Sequence, residues 1–191
     1  MFYWICVRLV HIYMMLAFRL KVVGKENVPK SGGAILAVNH KSYYDPVVAG
    51  VTCPRKLCFM AKSELFKNKF FGGLIKKLGA FPVHRGSGDI GAMKTAFKIL
   101  KSGKVMLIFP EGGRVKGSEK HHAKSGVAMI AQKMGVPVIP LYIDGEYKLW
   151  HKITVKYGTP ISFAEYKDLK LSNEQIQELA DNVLEEIYKL K

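Results

Sequence analysis

Acidic side chains are scarce in this sequence: 15 Asp and Glu stand against 30 Lys and Arg, leaving a net charge of +15 on 191 residues. That field favours a polyanionic partner, whether nucleic acid, an anionic membrane surface or a phosphorylated substrate. Cysteine is scarcer still. Cys6, Cys53 and Cys58 cannot all pair within the chain, and Cys53 and Cys58 lack the short spacing of zinc ligands. Three thiols in a reducing compartment is the simplest reading. No G-x-S-x-G stretch occurs, so a nucleophilic serine has no obvious seat. Nucleic-acid-binding motifs are missing as well, which with the apolar strands argues against a nucleic-acid partner. Repeats and low-complexity linkers are also missing, so one domain is expected beyond the N-terminal element. The 49% of hydrophobic residues excludes general disorder and allows a substantial core.

The chain opens on a nearly unbroken apolar and aromatic stretch, Phe2 to Leu20, interrupted by Arg8 and His11. No small-residue cleavage site follows, so a signal peptide is not expected. A span needs about 20 apolar residues, and a charge near the middle argues against one. The expectation is an interfacial helix over residues 1–20, with Arg8, His11 and Arg19 toward headgroups. Trp4, Tyr3 and Tyr13 suit a membrane boundary better than a core. The alternative is a core helix of the domain.

The stretch around which the rest is organised is Asn39-His40-Lys41-Ser42-Tyr43-Tyr44-Asp45-Pro46. It follows the apolar run Gly33 to Val38, of buried-strand length, so His40 falls on a strand-exit loop. Ligands bind at the carboxyl ends of strands in open α/β sheets. Asp45-Pro46 then opens a short helical pattern over Pro46–Val51, with Pro at its first position. Across a loop, Asp45 can fold back onto the His40 imidazole. A carboxylate on one ring nitrogen fixes the tautomer and leaves the other to take a proton. The alternative is a helix cap beside a loop histidine, which these eight residues alone favour, caps being common.

Further strands are expected at Lys21–Gly24, Leu57–Ala61, Gly79–Gly86 with a basic residue at its exit, Lys104–Phe109, Val136–Ile143 and, nearer an edge, Ile153–Gly158. Helices are expected over Ala92–Leu100, Val127–Met134 and Ser172–Leu190. The last has a stripe of Ile176, Leu179, Ala180, Val183, Leu184 and Ile187, with Ser172 as cap. Phe70 to Leu78 reads as a helix facing a membrane or tunnel, or as an ordinary surface helix. The whole predicts an α/β domain over residues 21–191, with a mixed, mostly parallel sheet flanked by helices.

Gly86-Ser87-Gly88-Asp89-Ile90-Gly91 matches G-x-G-x-x-G after a strand, and Glu111 lies 20 residues past Gly91. This makes a dinucleotide-binding oxidoreductase a competing reading. Two features weigh against it: His84 and Arg85 lengthen a turn that should be tight, and Asp89 would sit near a pyrophosphate. Phe109-Pro110-Glu111-Gly112-Gly113-Arg114 follows the strand at Lys104. Its glycines let successive N–H groups converge on an anion, and Arg114 adds charge. The basic segment Lys116 to Gly126 comes next. Its His121-His122 pair has no accompanying carboxylate pattern, so it reads as part of a basic loop rather than a metal site.

Four blocks therefore stand in order: Asn39-His40-x-x-x-x-Asp45, Gly79-Ala80-Phe81-Pro82-Val83-His84-Arg85, Phe109 to Arg114, and Val136-Pro137-Val138-Ile139-Pro140. Together they resemble the glycerolipid acyltransferases, in particular the bacterial 1-acylglycerol-3-phosphate acyltransferases, over about residues 20 to 160. The resemblance implies that His40 is a general base with Asp45 as its partner. It implies that Arg85, Glu111, Gly112 and Arg114 serve the glycerol-phosphate acceptor, and that the Pro137 block lines the acyl region. Gly113 and Lys124 complete the candidate acceptor contacts. Members usually carry Thr or Ser where Gly113 stands, so a hydroxyl contact is absent here. The implied substrates are lysophosphatidic acid and an acyl thioester of acyl carrier protein or CoA, with no cofactor and no metal. The implied location is the cytoplasmic face of the cell membrane, peripheral or monotopic.

Overall fold

A computed structural model describes residues 2–83, 90–115 and 122–191. The strands are β1 (Arg19–Val23), β2 (Ala34–Val38), β3 (Leu57–Lys62), β4 (Ala80–Val83), β5 (Val105–Ile108), β6 (Val138–Asp144) and β7 (Lys152–Tyr157). The helices are α1 (Phe2–Ala17), α2 (Asp45–Thr52), α3 (Lys69–Lys77), α4 (Ile90–Lys101), α5 (Gly126–Met134) and α6 (Asn173–Lys189). The strands form one sheet in the order β1-β7-β6-β2-β5-β3-β4. All neighbours pair in parallel except β6 with β7. This is the expected mixed, mostly parallel sheet flanked by helices.

β2 sits at the centre because every one of its five side chains is apolar and both of its faces are covered. Ala34, Leu36 and Val38 pack with Met14, Val48 and Ala49 from α1 and α2. Ile35 and Ala37 point the other way, against Ala96, Val127 and Val183 from α4, α5 and α6. All five are fully buried, and each large aliphatic side chain so buried contributes about 1.5–3 kcal/mol. α6 follows its sequence pattern closely. Ser172 Oγ accepts from Gln175 N at 3.3 Å, Gln175 Oε1 accepts from Ser172 N at 2.9 Å, and Ala180, Val183, Leu184 and Ile187 are buried.

The topology places a switch point between β2 and β5. β2 and β5 are adjacent and parallel, but the chain leaves them toward opposite faces. α2 packs on the β2 face shared with α1, and α5 packs on the other. Loops that part in this way leave a ligand crevice at the carboxyl ends of the strands. β6, also parallel to β2, ends at the same edge.

α1 is amphipathic in an unusual sense. Tyr3, Met14 and Ala17 are buried, and Met14 and Ala17 belong to the core. The outward stripe of Ile5, Leu9, Ile12 and Leu16 is 49%, 64%, 55% and 64% exposed. Arg8 is exposed as expected, but His11 is half-buried with Nδ1 shielded from solvent. β1 begins at Arg19, two residues beyond α1, so the helix continues directly into the sheet. In α3, Phe70 is 86% exposed, and Gly72 is the helix's one buried residue.

Candidate active site

The site begins where β2 stops. Asn39 is buried, and its side chain takes over the strand pairing. Asn39 Nδ2 donates to Ile143 O at 3.1 Å, and Ile143 N donates to Asn39 Oδ1 at 2.7 Å. The side-chain amide thus satisfies β6 while the main chain turns out of the sheet at His40. A buried polar residue directly after an apolar strand was the available signal for this role, since such a group requires partners.

His40 is held on four sides. Its N–H donates to Glu111 Oε2 at 2.7 Å, and its carbonyl accepts from Val115 N at 2.8 Å. Its ring stacks on Phe109, with centroids 3.9 Å apart and planes 20° from parallel. Nδ1 lies 3.0 Å from Asp45 Oδ2. An ionised carboxylate only accepts, so Nδ1 carries the hydrogen and Nε2 is left without one.

Asp45 is fully buried. Its Oδ2 also accepts from Lys41 N and Ser42 N, each at 2.7 Å, and its Oδ1 accepts from Tyr147 OH at 2.7 Å. The cap alternative therefore resolves in a specific way. Tyr44 holds the N-cap position of α2 with no side-chain cap bond. Asp45 is the first residue of that helix, and its carboxylate reaches back to the loop amides and the imidazole. Burial, reinforced by the Asp45 charge, holds the Tyr147 phenol far above its usual range, so it remains a donor.

The loop after β5 supplies the second wall. Glu111 Oε1 accepts from Tyr188 OH at 2.6 Å, so its carboxylate ties α6 to the His40 amide. Burial, and then this bond to Glu111, raises the Tyr188 phenol as well. Gly112 has φ +70°, the left-handed region, and a Cβ there would meet Lys124 Cγ at 2.8 Å. The Lys124 stem thus lies across Gly112, and Lys124 N donates to Pro110 O at 2.7 Å. Gly113 has open space where a side chain would stand. The Arg114 guanidinium lies 3.7 Å from the centre of the Tyr43 ring, and Nη2 donates to Tyr43 OH at 2.8 Å. Arg114 thereby rests on the loop that carries His40.

Six of the sequence-predicted residues are thus linked directly or through one neighbour: His40, Asp45, Glu111, Gly112, Arg114 and Lys124. Gly113 lies between Gly112 and Arg114, with open space at the position of a Cβ. Arg85 lies outside the described residues, as do His84, Gly86, Gly88 and His121. Gly91 is the second residue of α4. The Gly-rich stretch follows β4, the last strand at one end of the sheet, whereas a dinucleotide fingerprint belongs at the central crevice. Asn39, Tyr43, Tyr147, Tyr188 and the Phe109 ring are the parts that sequence reasoning did not assign.

Comparison with known proteins gives the family. Residues 19–144 match the acyltransferase family. A 1-acyl-sn-glycerol-3-phosphate acyltransferase of Bacillus subtilis (strain 168) is 33% identical, over 99% of this chain and 96% of its own. One from Streptococcus pneumoniae R6 is 32% identical, over 82% of this chain and 60% of its own. The crystal structure of the 1-acyl-sn-glycerophosphate acyltransferase PlsC from Thermotoga maritima superposes with a TM-score of 0.72. It is 26% identical and covers 96% of this chain and 76% of that one. Nothing in these matches supports an oxidoreductase. A mostly parallel sheet whose central strand delivers His40 to a buried Asp45, in a chain matched along almost its full length by acyltransferases, places the protein in the acyltransferase family.

Proposed function

We propose that this protein transfers a fatty acyl group from an acyl thioester to the free hydroxyl of lysophosphatidic acid, giving phosphatidic acid. The observation that carries the reading is the 3.0 Å contact of His40 Nδ1 with the buried Asp45 carboxylate, with Nε2 left for the acceptor. His40 Nε2 takes the proton of the acceptor hydroxyl as its oxygen attacks the thioester carbonyl carbon. The C–S bond then breaks, and the leaving thiolate takes that proton from Nε2. Asp45 supports the imidazolium between the two transfers. Arg114, with Lys124 and Arg85, binds the acceptor phosphate and so converts an encounter into a positioned attack. The thioester is carried by acyl carrier protein or by CoA.

The reaction takes place on the cytoplasmic surface of the cell membrane. No described helix is long and apolar enough to cross one. The bare stripe of α1 and the exposed Leu149 and Trp150, whose backbone N–H binds Ala17 O at 2.8 Å, support an interfacial docking face. The net charge of +15 supports attraction to anionic lipid.

The test offers the purified protein labelled acyl carrier protein thioester or acyl-CoA with lysophosphatidic acid in vesicles, and follows phosphatidic acid in the lipid phase. Product with one or both donors is expected, and no product with either from a folded protein refutes the proposal. His40→Ala should lower turnover on the order of a hundredfold or more. Near-normal turnover in that variant removes the base assignment.

A further inference from the structure

We infer that Tyr147 is a positioning residue of the site: it grips Asp45 on the side opposite His40 and tunes how strongly the carboxylate holds the imidazole. Tyr147 lies beyond residues 19–144 that match the family, on the turn joining β6 to β7. Its hydroxyl donates to Asp45 Oδ1 at 2.7 Å, while Oδ2 serves His40, Lys41 and Ser42. The ring itself is fixed. It stands edge-on to Phe18, with centroids 5.9 Å apart, and tilted against Tyr44, at 5.1 Å. The turn is also tethered, because Trp150 N donates to Ala17 O at 2.8 Å. Trp150 has φ +65°, the one non-glycine residue in the left-handed region among the described residues. A bulky side chain holds that backbone conformation only where its surroundings require it.

A donor on Oδ1 draws negative charge away from Oδ2 and weakens its pull on an imidazolium. Removing the donor concentrates charge on Oδ2, which then holds a protonated His40 more strongly. A base must be neutral to act, so the acid limb of the rate profile moves to higher pH. Among the described residues, the other charged groups around the cluster are Glu111 after β5, Lys41 on the His40 loop, Asp144 at the end of β6, Glu146, which is paired with Lys148, Lys191 beyond α6, and Arg114 and Lys124 of the second wall. They are unchanged when only the Tyr147 hydroxyl is altered, so a shift reports the phenol.

The kinetic part of the test rests on the acyl-transfer reading; the spectroscopic part does not. Histidine-labelled full-length protein is titrated by NMR, with the His40 signals assigned from a His40→Gln variant. The wild type is compared with Tyr147→Phe and with a protein carrying difluorotyrosine at position 147, an isosteric and stronger donor. The His40 signals should change at higher pH in Tyr147→Phe than in the wild type, and at lower pH with difluorotyrosine. The acid limb of kcat/KM should move in the same directions, with the KM for lysophosphatidic acid unchanged. If Tyr147→Phe does not fold, the isosteric protein still gives the answer. A His40 titration that stays in place refutes the inference, whatever happens to melting temperature or rate. Absence of acyl transfer by the wild type refutes the proposed function instead and leaves the titration readable.

Discussion

Asp45→Asn is the sharpest test of the dyad, because it removes a charge while keeping a shape. Three donors converge on Oδ2 and one hydroxyl on Oδ1. The amide therefore settles with its oxygen at the Oδ2 position and its NH₂ toward Tyr147, whose hydroxyl turns to accept. Every contact survives as a neutral pair. Charge-assisted bonds contribute about 1.5–3 kcal/mol each and neutral ones about 0.5–1.5. Relief from burying a charge offsets part of the difference, so the net stability loss is about 2 kcal/mol. In a chain of this size that lowers Tm by roughly 4–8 °C. Turnover should suffer far more. Opposite unit charges at the 3.0 Å of His40 and Asp45 attract by about 5 kcal/mol at an effective dielectric near 20. The transition state develops part of that imidazolium charge, so kcat should fall on the order of a thousandfold. Single-turnover acyl transfer, measured well below the melting point recorded by circular dichroism, separates the two effects. A folded variant with kcat within about tenfold of wild type would show that the carboxylate does not stabilise an imidazolium.

Arg114→Ala should raise the acceptor KM by about tenfold or more while sparing the thioester KM, and loss confined to the thioester would remove the phosphate role. Tyr43→Phe keeps the ring under the guanidinium and loses only the acceptor of its hydrogen bond, so a smaller rise of the same kind is expected. Burial pushes the Cys53 thiol from 9.0 up to about 11. The neutral thiol therefore favours the fold fully below pH 9, and that contribution fades as pH rises through about 11. Cys53→Ala should then lose less stability than wild type over that interval in denaturant titrations at stepped pH. At pH 8 a maleimide should label the partly exposed Cys6 and leave Cys53 untouched, and equal labelling would contradict the burial. Because Met14 and Ala17 lie in the core, the proposed membrane face is better tested by Leu9→Gln with Leu16→Gln than by deleting α1. High salt should release that variant, but not the wild type, from anionic vesicles in a flotation assay, and equal flotation of both would exclude the stripe as the anchor.

How far the sequence reached depended on whether the information was local. β2 was legible because five consecutive apolar residues must be covered on both faces. α6 was legible because Ser172 and Gln175 sit at capping distance from each other and its apolar residues repeat at the helical period. The loop pairing of His40 with Asp45 spans five residues, so the exit of one strand and the start of one helix were enough to suggest it. Strand order is not local, and that is why the Gly86–Gly91 stretch could pose as a dinucleotide turn. Only the sheet shows that the strand before it is the last in the row.

The same distinction explains what lay beyond reach. Tyr147 meets Asp45 across 102 residues, and Tyr188 meets Glu111 across 77. Nothing near either tyrosine marks it among the nine in the chain. Each is recognisable only once the fold brings a buried carboxylate to its hydroxyl, because a buried anion must be surrounded by donors. Glu111 shows the complementary case. The resemblance assigns it to the acceptor, and in the structure its carboxylate binds the His40 amide and the Tyr188 hydroxyl. In the proposed mechanism, a carboxylate that fixes the main chain of His40 acts on the acceptor through the base it positions. Loss of Glu111 should therefore disturb the orientation of His40 before it disturbs phosphate binding, and the affinity for lysophosphatidic acid should respond to Arg114 more than to Glu111.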